Sequence, residues 1–285
     1  MAALLALSAI AVEAQDVVIQ RPTKPTKTNT SKTSSSTNKL SRSKSKPANP
    51  IGTVSFETFT ANGVSFKMIR VDGGTFTMGA TSEQGSDAND NEKPAHQVTL
   101  SSYYIGETEV TQALWQAVMG SNPSDFKGEN RPVEKVSWDD CQTFISKLKS
   151  LTGQNFHLPT VAQWEFAARG GNKSQGNKYS GSNTIGKVAW YQNNSSREKT
   201  RLVKTKYPNE LGIYDMSGNV CEWCQDWCGS YSSSSQTNPT GPSSGSYRAF
   251  RGGSWVDTDR GCRVSTQSGW YPGTRDSYLG LRLAL

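Results

Sequence analysis

Histidine is almost missing from this sequence: His96 and His157 are the only two among 285 residues. Neither stands in a paired motif, so a metal centre held by three histidines cannot be built. A hydrolytic serine such as Ser254 would have to draw its base from a distant segment. Long apolar runs are missing as well. The one candidate, Met1 to Ala14, is too short to span a bilayer, so no transmembrane anchor is expected. It ends in Val12-Glu13-Ala14, a small-x-small pattern of the kind signal peptidase reads, and is expected to be a signal peptide. No cation precedes it, which leaves two accounts open: the true start lies upstream, or the segment is only a buried end. Gln15, where a lipidated chain would carry cysteine, argues against a lipid anchor. A secreted or periplasmic location in the cell envelope is the expectation that follows.

Residues 15–50 are Lys, Ser, Thr, Pro and Asn with almost nothing apolar after Ile19, so they cannot bury enough surface to offset ordering. They read as a disordered linker. Eight basic residues against Asp16 give this stretch +7, which equals the net charge of the whole chain. From Ile51 onward the sequence is close to neutral, and a nucleic-acid partner is not expected for it. The linker itself is either a solvated spacer or a contact for anionic envelope surfaces.

Residues 51–285 hold the globular domain. Val54 to Val71 alternates around Ala61-Asn62-Gly63 and predicts a β-hairpin. Short strands are expected at Gly73–Gly79 and His96–Leu100, on either side of a polar acidic loop from Thr81 to Lys93. Three helices are expected: Thr111–Met119, Trp138–Leu151 after Ser137, and Thr160–Arg169 with Gly170-Gly171 as its stop. Beyond Gly171 the chain is rich in glycine, serine and aromatics, with only short strand candidates. No internal repeat is present, and the layout fits neither a regular α/β pattern nor a sandwich. Loops this long need disulfides, bound metal or buried tryptophans to hold them.

The cysteines number five, Cys141, Cys221, Cys224, Cys228 and Cys262, so an oxidising compartment leaves at least one unpaired. Cys141, beside Trp138 and Phe144 on the second helix, reads as a small buried apolar residue. A disulfide among Cys221, Cys224 and Cys228 depends on geometry the sequence does not show, and a zinc site there lacks a fourth ligand.

Several motifs are specific when taken together: GGTFTMG (73–79), ETEVT (107–111), RPVEKVSWDD (131–140), LPTVAQWEFAARGG (158–171), LGIYDMSGN (211–219), GNVCEWCQDWC (218–228), RGGSW (251–255) and GLRLAL (280–285). Over Phe66 to Leu285 the chain resembles the sulfatase-modifying, formylglycine-generating-enzyme family, which oxidises a cysteine of sulfatases to formylglycine. The resemblance implies an irregular, loop-rich α+β fold related to the C-type lectins.

It also implies two metal sites. The first is calcium: two carboxylates seven residues apart around a glycine turn suit a hard cation. Carried over residue by residue, the calcium ligands would be Asp215, where the family often has Asn, the carbonyls of Gly218 and Val220, and Glu222. The alternative is that Asp215 caps a turn and Glu222 pairs with an arginine. The second is copper(I) between two cysteines soon after the GGS triplet. Three residues beyond Ser254 stands Asp257, not cysteine, while Cys262 aligns either with the second copper cysteine or with a structural one. One thiolate with one carboxylate is a poor copper(I) site, so copper is not expected. Cys221 also replaces the family's tryptophan before Glu222. The chain is therefore expected not to be a competent formylglycine-generating oxidase. If it were one, Cys262 and Ser254 would be the catalytic candidates.

The segment from Val256 to Tyr278 offers a different function. Its Asp, Thr, Ser, Gly, Arg, Tyr and Trp composition is that of an adaptable recognition surface with rigid aromatic anchors. It resembles the variable region of lectin-fold binding proteins diversified by retroelements. Asp257, Trp270, Tyr271, Arg275 and Tyr278 are the ligand-binding candidates, for a protein or glycan partner. The competing account makes Trp255, Trp270 and Tyr271 core residues and the rest ordinary loop.

Overall fold

The structure, a computed structural model, describes residues 54–195 and 199–285. The expected signal segment (1–14) and linker (15–50) lie outside the described residues. The hairpin forms where the alternation placed it: β1 (Phe56–Ala61) pairs antiparallel with β2 (Val64–Val71), with Ala61 opposite Val64. Asn62 and Gly63 take φ of 44° and 82°, the two left-handed residues of a turn whose twist matches that of the strands. Next come β3 (Gly74–Met78), β4 (His96–Leu100) and β5 (Tyr103–Gly106), and β5 completes the first sheet in the order β1-β2-β5.

Helix α1 (Gln112–Met119) starts where the Thr111 side chain accepts a bond from the Leu114 N–H. Helix α2 (Trp138–Thr152) starts on a capping box between Ser137 and Asp140 and stops at left-handed Gly153. Both helices bury an apolar face against the first sheet, with Trp115 stacked on Phe144 at 4.9 Å. Helix α3 (Val161–Ala168), capped by Thr160, lies in a second core, with Phe166 against Phe76 of β3 at 5.0 Å. The short helix α4 (Ile185–Val188) follows.

The glycine-rich second half holds more order than its composition suggests. Strands β6 (Cys221–Trp227), β8 (Arg248–Arg251), β9 (Gln267–Trp270) and β10 (Leu279–Leu281) form a sheet in the order β10-β6-β8-β9. Two-residue β7 (Gln236–Thr237) adds to β4 in the third sheet, β3-β4-β7. All five cysteines are thiols, so disulfides do not hold the loops. Buried arginines do much of that work. Arg169 and Arg251 share Glu165, Arg263 grips Glu92 at 2.5 Å, and Arg282 grips Glu222. Glu92 ends the acidic loop, whose two 3-10 turns (Ser82–Asp87 and Asp90–Glu92) are thereby tied to the far end of the chain.

Candidate functional site

RGGSW leaves β8 through two left-handed glycines, Gly252 (φ 94°) and Gly253 (φ 65°). A Cβ on Gly253 would lie 2.7 Å from the Gly261 carbonyl oxygen and 2.9 Å from Cys262 Sγ, so glycine is what lets the turn close onto Cys262. This turn brings Asp257 back to the Ser254 hydroxyl, which donates to its Oδ2 at 2.6 Å. Cys221 Sγ, at the start of β6, donates to the same oxygen from 3.8 Å. Cys262 is near enough to raise Cys221's thiol pKa, though burial is the larger cause. Both cysteines are buried, and burial, with Asp257 next, pushes both thiols well above their usual range. Burial likewise raises the Asp257 carboxyl. At the position three beyond Ser254 the chain offers the Asp257 carboxyl, held by Ser254, and a carboxylate is a poor substitute for the second soft thiolate of a copper(I) site. Cys221 and Cys224 belong to different cores on either side of β6 and do not share a site. His96 and His157 sit against the carbonyls of Pro94 and Leu158, and Ser254 is committed to Asp257.

The segment from Asp215 to Val220, which leads into Glu222 on β6, is a tight buried turn with Asp215 (φ 58°), Gly218 (φ 80°) and Asn219 (φ 64°) all left-handed. Asp215 Oδ2 accepts from the Lys204 N–H, while its Oδ1 is buried without a hydrogen-bond partner. Burial pushes the Asp215 carboxyl up to about 6. Glu109 also enters this cluster, accepting from the Val220 N–H and the Asn219 amide; burial and then Asp215 push its carboxyl well up. Glu222 is fully engaged. Arg282 reaches both of its oxygens, Nη2 to Oε1 at 2.6 Å and Nε to Oε2 at 2.9 Å, and Trp164 Nε1 donates to Oε2 at 2.6 Å. As they stand, Asp215, Gly218, Val220 and Glu222 do not fit a calcium ion, because the carboxylate that would carry most of the charge already faces a guanidinium.

The recognition candidates separate into two places. Asp257 is turned inward to Ser254 and Cys221, away from a binding role. Trp270, Tyr271, Arg275 and Tyr278 belong to β9 and the loop after it. Trp270 is half-buried between Phe250 and Tyr278, whose rings lie 6.1 and 5.9 Å away, and Tyr271 is 58% exposed. Arg275 makes a two-pronged pair with Asp140 at the start of α2, at 2.7 and 2.9 Å. Trp255 is core, set edge-on to Phe126. Sequence reasoning missed the neighbours that extend this face. Arg248, opposite Trp270 in register, is clamped between Trp138 and Trp227 at 3.8 and 3.6 Å from the ring centres. Tyr247 leans on Tyr271 at 4.7 Å, their hydroxyls 3.3 Å apart. The composition carried a partial signal, tryptophans and arginines being the residues most often used as stacked anchors.

Few short helices, three small sheets and long loops tied by buried ion pairs define an irregular α+β domain of the C-type-lectin-like, formylglycine-generating-enzyme kind. The chain belongs to the family of sulfatase-modifying factor enzyme 1-like domains, whose family model matches residues 55–285. It is similar to the chaperone protein LppX of Paenibacillus barcinonensis, 37% identical over 263 residues, covering 75% of this chain and 85% of the relative. It is also similar to the formylglycine-generating enzyme of Streptomyces coelicolor, 30% identical over 285 residues, covering 76% and 88%. Among solved structures, Treponema denticola variable protein 1 superposes with a TM-score of 0.73 at 37% identity, covering 80% of this chain and 98% of that one. PvdO from Pseudomonas aeruginosa shares the fold, with a TM-score of 0.65 at 24% identity, covering 83% and 99%.

Proposed function

We propose that this domain is a protein-binding module on a formylglycine-generating-enzyme scaffold, and that it recognises its partner through the aromatic face around Trp270 and Tyr271. The observation that carries the reading is the Arg248 guanidinium clamped between Trp138 and Trp227, close to an exposed Tyr271 that Tyr247 supports: aromatic anchors already ordered by stacking. A relative named as a chaperone supports protein over glycan as the partner class. A cell-envelope location, where such a partner would be met, is part of this proposal. The test is fluorescence anisotropy with a labelled, reduced and carboxymethylated globular protein as the unfolded probe. Tyr271→Ser with Trp270→Ser should lower affinity about tenfold or more while the chain stays folded. Unchanged affinity would overturn the reading.

One observation favours a second reading, the oxidase: Cys221 Sγ lies 3.8 Å from Asp257 Oδ2, and Cys262 packs against the Gly253 turn that carries Asp257. Their burial counts against it, and copper titration separates the two.

A further inference from the structure

The segment Arg201–Tyr207 (RLVKTKY) combines three cations with two apolar side chains directed into solvent. Leu202 is 46% and Tyr207 56% exposed, and they are two of the five large hydrophobic residues so exposed among the described residues. Their exposure is built in. The Val203 N–H bonds the Asn130 carbonyl at 2.9 Å, the Lys204 N–H bonds Asp215 at 2.8 Å, and the Tyr207 N–H bonds the Lys187 carbonyl at 3.1 Å. The backbone is thus pinned at three points while the apolar side chains remain outside. Trp190 lies under the segment, its Nε1 donating to Thr205 at 2.8 Å, with Lys206 Nζ 3.9 Å and the Arg201 guanidinium 5.2 Å from its ring. Among the described residues Glu107 pairs with Lys204 at 2.8 Å, Asp215 is buried beneath the segment, and Lys206 Nζ donates to the Gly186 carbonyl at 2.6 Å. Exposed Lys187 adds a further cation.

Cations alone would fit any polyanion. Fixed apolar side chains among them fit a surface that offers negative headgroups and an apolar interior a few ångströms deeper. We propose that this segment is a peripheral contact for an anionic lipid surface. No helix among the described residues is long and apolar enough to cross a membrane, so the contact lies on the surface and does not span it.

The test is co-sedimentation of the full chain with vesicles of phosphatidylglycerol and phosphatidylcholine in equal parts, against phosphatidylcholine alone. The parent should bind the anionic vesicles and not the neutral ones. Leu202→Ser with Tyr207→Ser leaves every cation, including those of the basic N-terminal segment, in place. It should still reduce vesicle binding about fivefold, with an unchanged melting midpoint. Should that variant melt early, Lys187→Gln with Lys206→Gln, which keeps both apolar side chains, replaces it and should lower binding about threefold. Failure of the parent to bind, or equal binding by parent and variants, overturns the proposal. Binding to soluble heparin that the Leu202/Tyr207 variant keeps, beside vesicle binding that it loses, supports it.

Discussion

Arg282 meets Glu222 as a two-pronged ion pair with neither residue reached by solvent, and Trp164 completes the shell of the carboxylate at 2.6 Å. The guanidinium also donates to the Gly106 and Tyr214 carbonyls at 2.8 and 2.9 Å, so it joins β10, β6, β5 and the loop before Asp215 at one point. Such a pair is costly to desolvate and more costly to break, because removing one partner leaves the other charged and alone. Arg282→Met is expected to lower stability by about 3 to 5 kcal/mol in urea unfolding at pH 7. Adding Glu222→Gln should recover part of that loss. Equal stability of the single and double variants would show that Glu222 is compensated by something else.

That compensation could be a cation, and the structure predicts it is not. Excess Ca2+ or a chelator should move the melting midpoint by less than about 1 °C, since Glu222 is not available to a metal. A rise of several degrees with Ca2+, lost in Glu222→Gln, would restore calcium at Asp215, Gly218, Val220 and Glu222.

Asp226 supplies a pH signature. Its Oδ2 accepts from the Val161 N–H at the start of α3, and burial pushes its carboxyl up to about 7. A carboxyl raised in the folded state stabilises fully below its unfolded pKa, and that contribution is lost as pH rises through the folded value. Stability should therefore fall between about pH 4 and pH 8, by an amount on the order of 4 kcal/mol if this group acts alone. Asp226→Asn keeps an acceptor for Val161 and removes the charge. Its stability curve over that range should be flatter than the parent's, and superimposable curves would contradict the assignment.

Gly218 is a point where backbone meets backbone. A Cβ there would stand 2.3 Å from the Trp190 carbonyl oxygen, and its φ of 80° is unfavourable for any side chain. Gly218→Ala should cost about 2 kcal/mol or more, read as a lower urea midpoint. A neutral result would mean that the 190–219 bridge is not rigid.

The helices and the first hairpin were legible because their signals are local. Ser137 with Asp140, Thr160 before Val161, and Asn62-Gly63 each carry their own stop or start. Strand β6 and the sheet around it were less so, since GNVCEWCQDWC has no simple alternation when both faces are buried. The site was harder still. Glu222 reads equally well as a cation ligand or an arginine's partner, and only a partner sixty residues away decides it. Arg282 inside the apolar GLRLAL end was the available clue, because an arginine there must be paired. Composition grouped Asp257 with Trp270 and Tyr271, and the structure sets it apart from them. Turn geometry sends its carboxyl inward to Ser254, a consequence of two left-handed glycines that composition does not reveal.

The central claim is that the scaffold persists without its copper centre, and copper(I) titration against a competing chelator tests it most directly. It should be run on the parent and on Asp257→Cys, each followed by incubation with a sulfatase-derived cysteine peptide. The parent should bind no stoichiometric copper(I) and leave the peptide thiol intact, while Asp257→Cys, which restores a thiol three residues beyond Ser254, should bind one equivalent. Stoichiometric copper(I) binding by the parent, together with aldehyde formation in the peptide, would contradict the account.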